Sequence, residues 1–303
     1  MKQLRVGAVS RNYFNLPLWL AQAAGYFEAE GLDIQLELIE GIDLVSARLA
    51  GGELDLALNV TENSVLNREQ GGDLQIIGGN VNRLPFSFIG RPGLRSLHDL
   101  KGGRIGVSSI KAGSSSLVMR LLADQGLHTP EDYTLLAVGP ILARWEKLRA
   151  GEIDAGLQGA PLNYIAVDAG YVDLGNPRKI FPDFQFTSLD VRRDWARHHP
   201  DLAIRFLRAF VRAHQLFYAD QDAACQVACE QTGIERPYAE RAWLEYTTEA
   251  IFPRDARASE AAVQTLIEVS GLIRELPTRA AMTASAYIDH SLIDAAHASL
   301  RGT

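Results

Sequence analysis

The first half of the chain alternates between strand-like and helix-like patterns of hydrophobic residues. Gln3–Val9 and Asp33–Ile39 are predicted strands, and Pro17–Glu30 between them is a predicted helix that Gly31 ends. The pattern continues with the helices Ile42–Ala50 and Thr61–Gln70 and the strands Leu54–Leu58 and Leu74–Gly78. This β-α-β-α order predicts a mainly parallel sheet with helices on both faces.

The same rhythm restarts after the turn-rich segment Gly90–Gly93. The predicted strands are Gly103–Ser108, Tyr133–Val138 and Ile153–Leu157, and the predicted helices are Ser115–Gln125, Ile141–Ala150 and Pro161–Ala169. A short internal repeat accompanies the restart, because the segment Leu49–Asp55 returns in similar form as Leu148–Asp154. The repeat favours two related α/β lobes.

Beyond Asp190 the pattern indicates helices only. They are predicted at Val191–His199, Asp201–Ala219, Gln221–Gln231, Pro237–Thr248 and Ser259–Ser270, after an apolar strand at Phe184–Ser188. We therefore expect lobe 1 to contain residues 1–86 and 188–303, and lobe 2 to contain residues 87–187. Two crossing strands, near Pro85–Ile89 and Phe184–Leu189, would form the hinge, and the C-terminal helices would pack onto lobe 1.

Composition and charge narrow the function classes. The chain has 303 residues, a length that suits two lobes or one large α/β unit, and its 47% hydrophobic and 22% charged residues let it bury a core and stay soluble. Its net charge of −7 argues against a nucleic-acid partner. No apolar run reaches the roughly 20 residues that span a bilayer, so we expect no membrane insertion.

The N-terminus leaves the compartment open. Residues Met1–Gly7 lead directly into the first predicted strand, without the apolar stretch of a secretory signal. The protein is therefore either exported to the periplasm after removal of a signal, or cytoplasmic.

The chain contains few combinations of residues that indicate catalysis. Cys225 and Cys229 lie four residues apart in a predicted helix, where they are typical of small apolar residues. The pair His198-His199 precedes Pro200 at a helix end, as expected for a solvated cap. No hydrolase elbow, metalloprotease motif or metal-ligand cluster occurs, so we expect no metal and no cofactor.

Several segments carry a family resemblance. Residues Leu4–Gly7, Pro17–Phe27 and Glu30–Ile34 resemble the opening of nitrate/sulfonate/taurine-type ABC-transporter binding proteins, which the binding proteins for thiamine-pyrimidine precursors share. The resemblance continues at Leu97–Val107, Leu148–Asp154 and Pro200–Phe210. It implies a two-lobed, type II periplasmic-binding-protein-like fold, with a ligand cleft between the lobes.

Three groups of loop residues are candidates for the cleft of such a fold, because ligands bind at the carboxyl ends of the strands. The first loop, Ser10–Asn15, offers Arg11, Asn12, Tyr13 and Phe14. The second, Ser108–Ser116, offers the hydroxyls of Ser109, Ser114 and Ser115 and the unpaired N–H groups of a helix N-terminus, which suit an anion. The third group is Asn59, Thr61 and Gln158, which follow buried strands, together with Arg83 near the first crossing.

Each candidate also has a structural alternative. Thr61 doubles as a helix cap, the serines of the second loop are ordinary capping residues, and Arg83 is equally suited to the surface. In the ligand-binding interpretation, an anion lies between Arg11 of lobe 1 and the 108–116 loop of lobe 2. The rings of Tyr13, Phe14, Phe184 and Phe186 then contact an apolar part of the ligand, or else pack the hinge.

The function that we expect is capture of a small anionic organic molecule (a sulfonate, carboxylate or aromatic acid) for an ABC-type uptake system. Its partner would be a membrane permease, and the protein would be a monomer. A cytoplasmic enzyme on the same fold is the alternative, either a pyrimidine-precursor synthase or a small-acid decarboxylase, and a ligand sensor is a third possibility. The chain lacks the cysteine-rich segment of the pyrimidine synthases and an evident acid–base cluster.

Overall fold

Two five-stranded sheets organise the computed structural model, which describes residues 1–111, 113–270 and 283–302. The first sheet has the order β2-β1-β3-β10-β4, with strands β1 (Lys2–Val9), β2 (Leu32–Ile39), β3 (Leu56–Val60), β4 (Leu74–Val81) and β10 (Thr187–Arg192). The second has the order β7-β6-β8-β5-β9, with strands β5 (Phe86–Gly90), β6 (Gly103–Val107), β7 (Tyr133–Ala137), β8 (Ala155–Gly159) and β9 (Val172–Asp173).

One strand in each sheet runs against its neighbours. Strand β10 is antiparallel to β3 and β4, and β5 is antiparallel to β8 and β9, whereas β1–β2, β1–β3, β6–β7 and β6–β8 pair in parallel. Both antiparallel strands follow directly after the chain has passed from one sheet to the other. The predicted α/β architecture is confirmed, and the sheets are mixed because of these two strands.

The path of the chain fits the proposed division into lobes. Strand β5 begins at Phe86 and β10 at Thr187, one residue before the boundaries expected from the sequence. Residues 82–85 and 182–186 form the two crossings. The division into residues 1–86 with 188–303 and residues 87–187 remains a proposal, and its members 112, 271–282 and 303 lie outside the described residues. We call the first sheet with its helices lobe 1 and the second lobe 2.

Helices cover the sheets of both lobes. Lobe 2 carries α5 (Ser114–Ala123), α6 (Ile141–Arg149) and α7 (Leu162–Asp168). Lobe 1 carries α1 (Leu16–Ala23), α2 (Tyr26–Ala29), α3 (Ile42–Ala50), α4 (Thr61–Glu69), α8 (Arg193–His198), α9 (Pro200–Ala219), α10 (Gln221–Thr232), α11 (Arg236–Thr248), α12 (Glu260–Ser270) and α13 (Ser291–Arg301). Helix α9 packs against α1, α2 and α13, and among the described helices none is long and apolar enough to cross a bilayer.

Some elements differ from the sequence prediction. The predicted helix Pro17–Glu30 is two helices, because Gly25 takes the left-handed conformation with φ 66° and ends the first one. Thr61 is the first residue of α4 and caps nothing; its hydroxyl instead donates to the Ser188 hydroxyl at 3.0 Å. Helix α13 and the short strand β9 were absent from the prediction, whereas β5 corresponds to the crossing strand expected near Pro85–Ile89.

Aromatic rings pack where the chain crosses between the lobes. The Phe14 ring lies 5.8 Å from Phe86 and 5.8 Å from Phe186, and Phe86 lies 4.8 Å from Phe186, measured between ring centroids. All three contacts are edge-to-face, an arrangement that contributes roughly 0.5–1.5 kcal/mol for each pair beyond its buried area. The cluster joins the loop after β1 to both crossings.

A buried carboxyl group lies in the crossing strand of lobe 1. Asp190 is fully buried in β10 and accepts hydrogen bonds from the hydroxyls of Ser64 and Ser188, with a further contribution from the Asn59 side chain. Burial raises the pKa of Asp190 to about 7, and the hydrogen bonds offset only part of that effect. The carboxyl group therefore titrates near neutral pH in the folded protein.

Replacing Asp190 by Asn should remove a pH dependence of stability. The folded protein binds a proton on Asp190 up to about pH 7, whereas the unfolded chain loses it near about pH 4. Because the folded state binds more protons between these values, the free energy of unfolding falls as pH rises, by up to about 1.4 kcal/mol per pH unit. Urea titrations should give a difference in the free energy of unfolding, wild type minus Asp190→Asn, that falls from about pH 5 to pH 7 and is constant above that.

The exposed carboxylate of Glu131 supplies the control. The variant Glu131→Gln should reproduce the pH profile of the wild-type protein. A wild-type minus Asp190→Asn difference that does not change with pH would contradict a raised pKa at Asp190.

Candidate functional site

A small cavity lies between the lobes, at the carboxyl ends of β1, β3 and β6. It encloses about 30 Å³ and is lined by Val9, Asn12, Phe14, Ile42, Val60, Phe186 and Thr187 of lobe 1 and by Ser108, Pro140, Ile141 and Arg144 of lobe 2. This is the position where open α/β sheets bind their ligands. The wall is mainly apolar and carries one cation.

The size of this cavity shows how close the lobes are. A volume of about 30 Å³ holds one or two water molecules, whereas pockets for organic ligands typically measure about 300–1,000 Å³. An organic solute therefore requires the lobes to stand farther apart than they do here. Residues 82–85 and 182–186 are the segments about which such a movement would occur.

Arg144 is the cation of the cavity wall. Its side chain is 1% exposed, its Nε donates to the Leu157 carbonyl at 2.7 Å, and its Nη1 lies 3.2 Å from the Ser108 hydroxyl and 3.3 Å from the Ser114 hydroxyl. Burial lowers the pKa of Arg144 to about 9, so the guanidinium stays charged at neutral pH. Its hydrogen-bond partners among the described residues are all uncharged.

Sequence reasoning did not identify Arg144, because it occupies an ordinary position in a predicted helix rich in charged residues. The sequence signal for it is a pair of glycines in the strands that lie beneath it. A Cβ atom added to Gly156 would lie 2.7 Å from Arg144 Cδ, and one added to Gly106 would lie 3.3 Å from Arg144 Cγ. Glycine in the middle of a strand often marks such a close approach.

The loop predicted to hold an anion is bound here by carboxylates of the opposite lobe. The Ser109 hydroxyl donates to Asp43 Oδ2 at 2.9 Å, and the Gly113 N–H donates to Glu62 Oε2 at 2.7 Å. Asp43 lies in α3 and Glu62 in α4, so both contacts join lobe 1 to lobe 2. We call them the interlobe carboxylate contacts. Ala112 of the same loop lies outside the described residues.

The remaining serines of that loop begin helix α5. Ser114 Oγ accepts a hydrogen bond from the Ser108 N–H at 2.9 Å and contacts Arg144, so it positions the cation. Ser115 is buried in the first turn of the helix. Their contacts with a ligand remain predictions.

The two arginines predicted from the sequence lie away from the cavity. Arg11 is exposed, and its Nη1 donates to the Gln231 carbonyl at 2.8 Å, near the C-terminal end of α10. It points outward because Asn12 closes a tight turn, in which its Nδ2 donates to the Val9 carbonyl and its Oδ1 accepts from the Phe14 N–H. Arg11 is therefore not among the residues that line the cavity, and the expected placement of an anion between Arg11 and the 108–116 loop remains a prediction.

Arg83 lies at the first crossing. Its Nη1 donates to the Glu249 carbonyl at 3.1 Å, and its Nε lies 3.5 Å from Asp183 Oδ1. These partners keep it at the outer side of the crossing.

The other predicted residues lie at several depths. Asn12 and Phe14 line the cavity, whereas the Tyr13 ring is buried against Tyr246 at 4.9 Å. Asn59 donates to the Ser64 hydroxyl at 3.2 Å and belongs with Thr61 to the network around Asp190. Gln158 is fully buried in β8, where neither of its amide atoms has a partner within the described part of the chain.

The two phenylalanines of the second crossing differ in what they contact. Phe186 lines the cavity, and the buried Phe184 packs against Phe181 at 6.2 Å, so only the first of the two rings faces a ligand position. Within the described ranges, no three His, Cys, Asp or Glu side chains come together as metal ligands.

A family model described as "NMT1/THI5 like" matches residues 13–224, more than two thirds of the chain. Among curated proteins, the 4-amino-5-hydroxymethyl-2-methylpyrimidine phosphate synthase of Schizosaccharomyces pombe is 26% identical over 215 residues. That match covers 65% of this chain and 60% of the relative, so the chain spans about three fifths of the relative's length.

Solved structures of binding proteins match over nearly the whole chain. The alkanesulfonate-binding protein SsuA from Xanthomonas axonopodis pv. citri, bound to MOPS, has a TM-score of 0.78 at 21% identity and covers 96% of this chain and 99% of its own. The periplasmic nitrate-binding protein NrtA from Synechocystis PCC 6803 has a TM-score of 0.80 at 13% identity, with coverages of 100% and 90%. These likenesses confirm the periplasmic-binding-protein-like fold.

Removing an interlobe carboxylate contact should favour more open conformations. The variant Glu62→Ala removes the acceptor of the Gly113 N–H, and hydrogen bonds to charged groups contribute about 1.5–3 kcal/mol. The ratio of closed to open molecules should fall by about tenfold or more. Small-angle X-ray scattering should report a larger radius of gyration, and hydrogen exchange of the Gly113 amide should become faster.

The exposed Glu28 in α2 provides the matched control, and Glu28→Ala should leave both quantities unchanged. If Glu62→Ala matches the wild-type protein in radius of gyration and in exchange rate, the contact does not hold the lobes together.

Proposed function

The chain belongs to the NMT1/THI5-like family, and on that basis we propose that it is a solute-binding protein of an ABC-type uptake system. It captures a small anionic organic molecule (a sulfonate, a carboxylate or an aromatic acid) in the cleft between its lobes. The solved neighbours described as binding an alkanesulfonate and nitrate support an anionic ligand.

The composition of the cavity wall is the observation that carries the proposal. Both lobes contribute to it, and its apolar side chains surround one buried guanidinium, that of Arg144. A ligand with an apolar body and an anionic group matches such a wall, because pockets for small molecules combine apolar lining with a few placed polar groups. A ligand contacted from both sides also draws the lobes together.

Binding then proceeds by movement about the two crossings. The solute enters while the lobes are apart, docks on one lobe and becomes enclosed when the other rotates onto it. The closed form is the state that a membrane permease would recognise. In this proposal the protein acts as a monomer in the periplasm or at another exported location.

The synthase relatives favour one alternative. A 26% identical relative is named as a pyrimidine phosphate synthase, so an enzyme acting on a pyrimidine precursor in the same cleft is the second candidate. The chain has only two cysteines, Cys225 and Cys229, and both lie in α10. It therefore lacks the cysteine-rich segment of the pyrimidine synthases, which weighs against this candidate. Mass spectrometry after incubation with a bound ligand separates the candidates, because a binding protein returns the ligand unchanged.

A thermal-shift screen of organic sulfonates, carboxylates and aromatic acids should identify ligands that raise the melting temperature. A ligand at about 100 times its dissociation constant stabilises the folded state by about 2.7 kcal/mol. Isothermal titration calorimetry should then show one binding site per chain. Two controls are uncharged sugars and inorganic salts, the salts at the same ionic strength as the organic anions.

A screen in which only inorganic anions or plain sugars raise the melting temperature would contradict the proposed ligand class. Conversion of a bound compound into a new product would support the enzymatic alternative.

A further inference from the structure

We infer that Arg144, with the Ser108 hydroxyl and the first backbone N–H groups of α6, forms the subsite for the anionic group of the ligand. The chemistry selects a carboxylate or a sulfonate attached to an apolar body. The inference rests on the proposed function, because it assigns one end of the same ligand to named atoms. It also replaces Arg11 by Arg144 as the cation that recognises the ligand.

The guanidinium of Arg144 lacks a counter-charge among the described residues. Arg144 is 1% exposed, and its hydrogen bonds go to the Leu157 carbonyl and to the hydroxyls of Ser108 and Ser114. Within the described residues no carboxylate forms an ion pair with it, and desolvation is the cause of its lowered pKa. A buried charge without a partner is costly, and an anion in the adjoining cavity would offset that cost.

Several hydrogen-bond donors lie on one side of the cavity. Ser108, Pro140 and Ile141 line the cavity together with Arg144. Helix α6 begins at Ile141, so its first N–H groups, which carry partial positive charge, lie at the same wall. An oxyanion there would meet a guanidinium, a hydroxyl and a helix N-terminus.

Two carboxylates of lobe 1 bind the 108–116 loop beside the cavity. Asp43 and Glu62 accept hydrogen bonds from Ser109 and from the Gly113 N–H, so these donors of the 108–116 loop are already engaged. Negative charge at that end disfavours a second anion beside it. The negative charge of these two carboxylates therefore directs a ligand anion away from them and towards Arg144.

Two glycines make room for the methylene groups of the Arg144 side chain. Gly106 in β6 and Gly156 in β8 leave the space that the Arg144 methylene groups fill, since a Cβ on Gly156 would lie 2.7 Å from Cδ. Ser114 holds the guanidinium from the other side at 3.3 Å. The cation is thus fixed before a ligand arrives, which lowers the ordering cost of binding.

The opposite wall indicates what the anionic group is attached to. Val9, Phe14, Ile42, Val60 and Phe186 contribute apolar surface to the cavity from lobe 1. Low polarity around the guanidinium strengthens its attraction for an anion. An aryl or alkyl sulfonate or carboxylate satisfies both walls at once.

The test compares an anion with a neutral molecule of the same shape. The probe pairs are benzenesulfonate with benzenesulfonamide and benzoate with benzamide. If the ligand screen identifies a different anion that raises the melting temperature, that anion is compared with its own amide. The wild-type protein should bind the anion about ten- to a hundredfold more tightly than the amide by calorimetry. The variant Arg144→Gln should lose this preference, with amide affinity within about threefold of the wild-type value.

Two further variants separate recognition from a structural role. Arg144→Lys keeps the charge and should retain part of the preference for the anion, whereas a purely structural role predicts equal losses for anion and amide. Ser108→Ala should weaken binding of the anion and leave binding of the amide unchanged. This second variant keeps the inference testable if Arg144→Gln fails to fold, which circular dichroism and melting curves would reveal.

The outcomes distinguish the inference from the proposed function. If no organic anion binds the wild-type protein, the proposed function fails. If organic anions bind the wild-type protein but no more tightly than their amides, the assignment to Arg144 is overturned and the proposed function stands. The same conclusion follows if either Arg144→Gln or Ser108→Ala keeps the full preference for the anion.

Discussion

The double crossing of the chain is the constraint on which the rest of the structure depends. The first sheet is left at Val81 and entered again at Thr187, and each new sheet is joined by a strand that runs against its neighbours. Two covalent connections, residues 82–85 and 182–186, join the lobes. The rings of Phe14, Phe86 and Phe186 pack beside these connections, so they join the loop after β1 to both of them.

Charge is distributed unevenly around the cleft between the lobes. Asp43 and Glu62 of lobe 1 bind the loop before α5, while Arg144 of lobe 2 lies buried beside the cavity with uncharged partners. The protein as a whole carries a net charge of −7, so attraction of an anion depends on this local arrangement and not on the overall field. The interlobe carboxylate contacts of Asp43 and Glu62 hold the lobes together, which explains why the cavity is small in their present arrangement.

Much of the fold could be predicted from the sequence because its β-α rhythm follows local periodicity. The helix Ile42–Ala50 has the predicted bounds, and most strands begin within two residues of their predicted positions. A strand near Pro85–Ile89 was predicted, but its antiparallel pairing with β8 could not be, since that pairing joins segments some 70 residues apart. The break at Gly25 depends on one left-handed residue within an otherwise helical pattern.

The candidate site was harder to predict, because its cation is defined by tertiary contacts. Arg144 resembles any surface arginine of a charged helix until Gly106 and Gly156 are seen to lie beneath it. Arg11 was predicted to contact the ligand because it lies in a polar loop before a helix. The turn at Asn12 instead directs its side chain outward. Asn12 and Phe14, which follow it, do line the cavity.

The central claim is that the solute is enclosed between the lobes, and anomalous X-ray diffraction from a bromine-labelled ligand tests it most directly. Crystals grown with 4-bromobenzenesulfonate should show the bromine peak between the lobes, beside Phe14 and Phe186, with the sulfonate on the Arg144 side. A peak bound to the outer surface of a single lobe, with the cleft unchanged, would contradict the account.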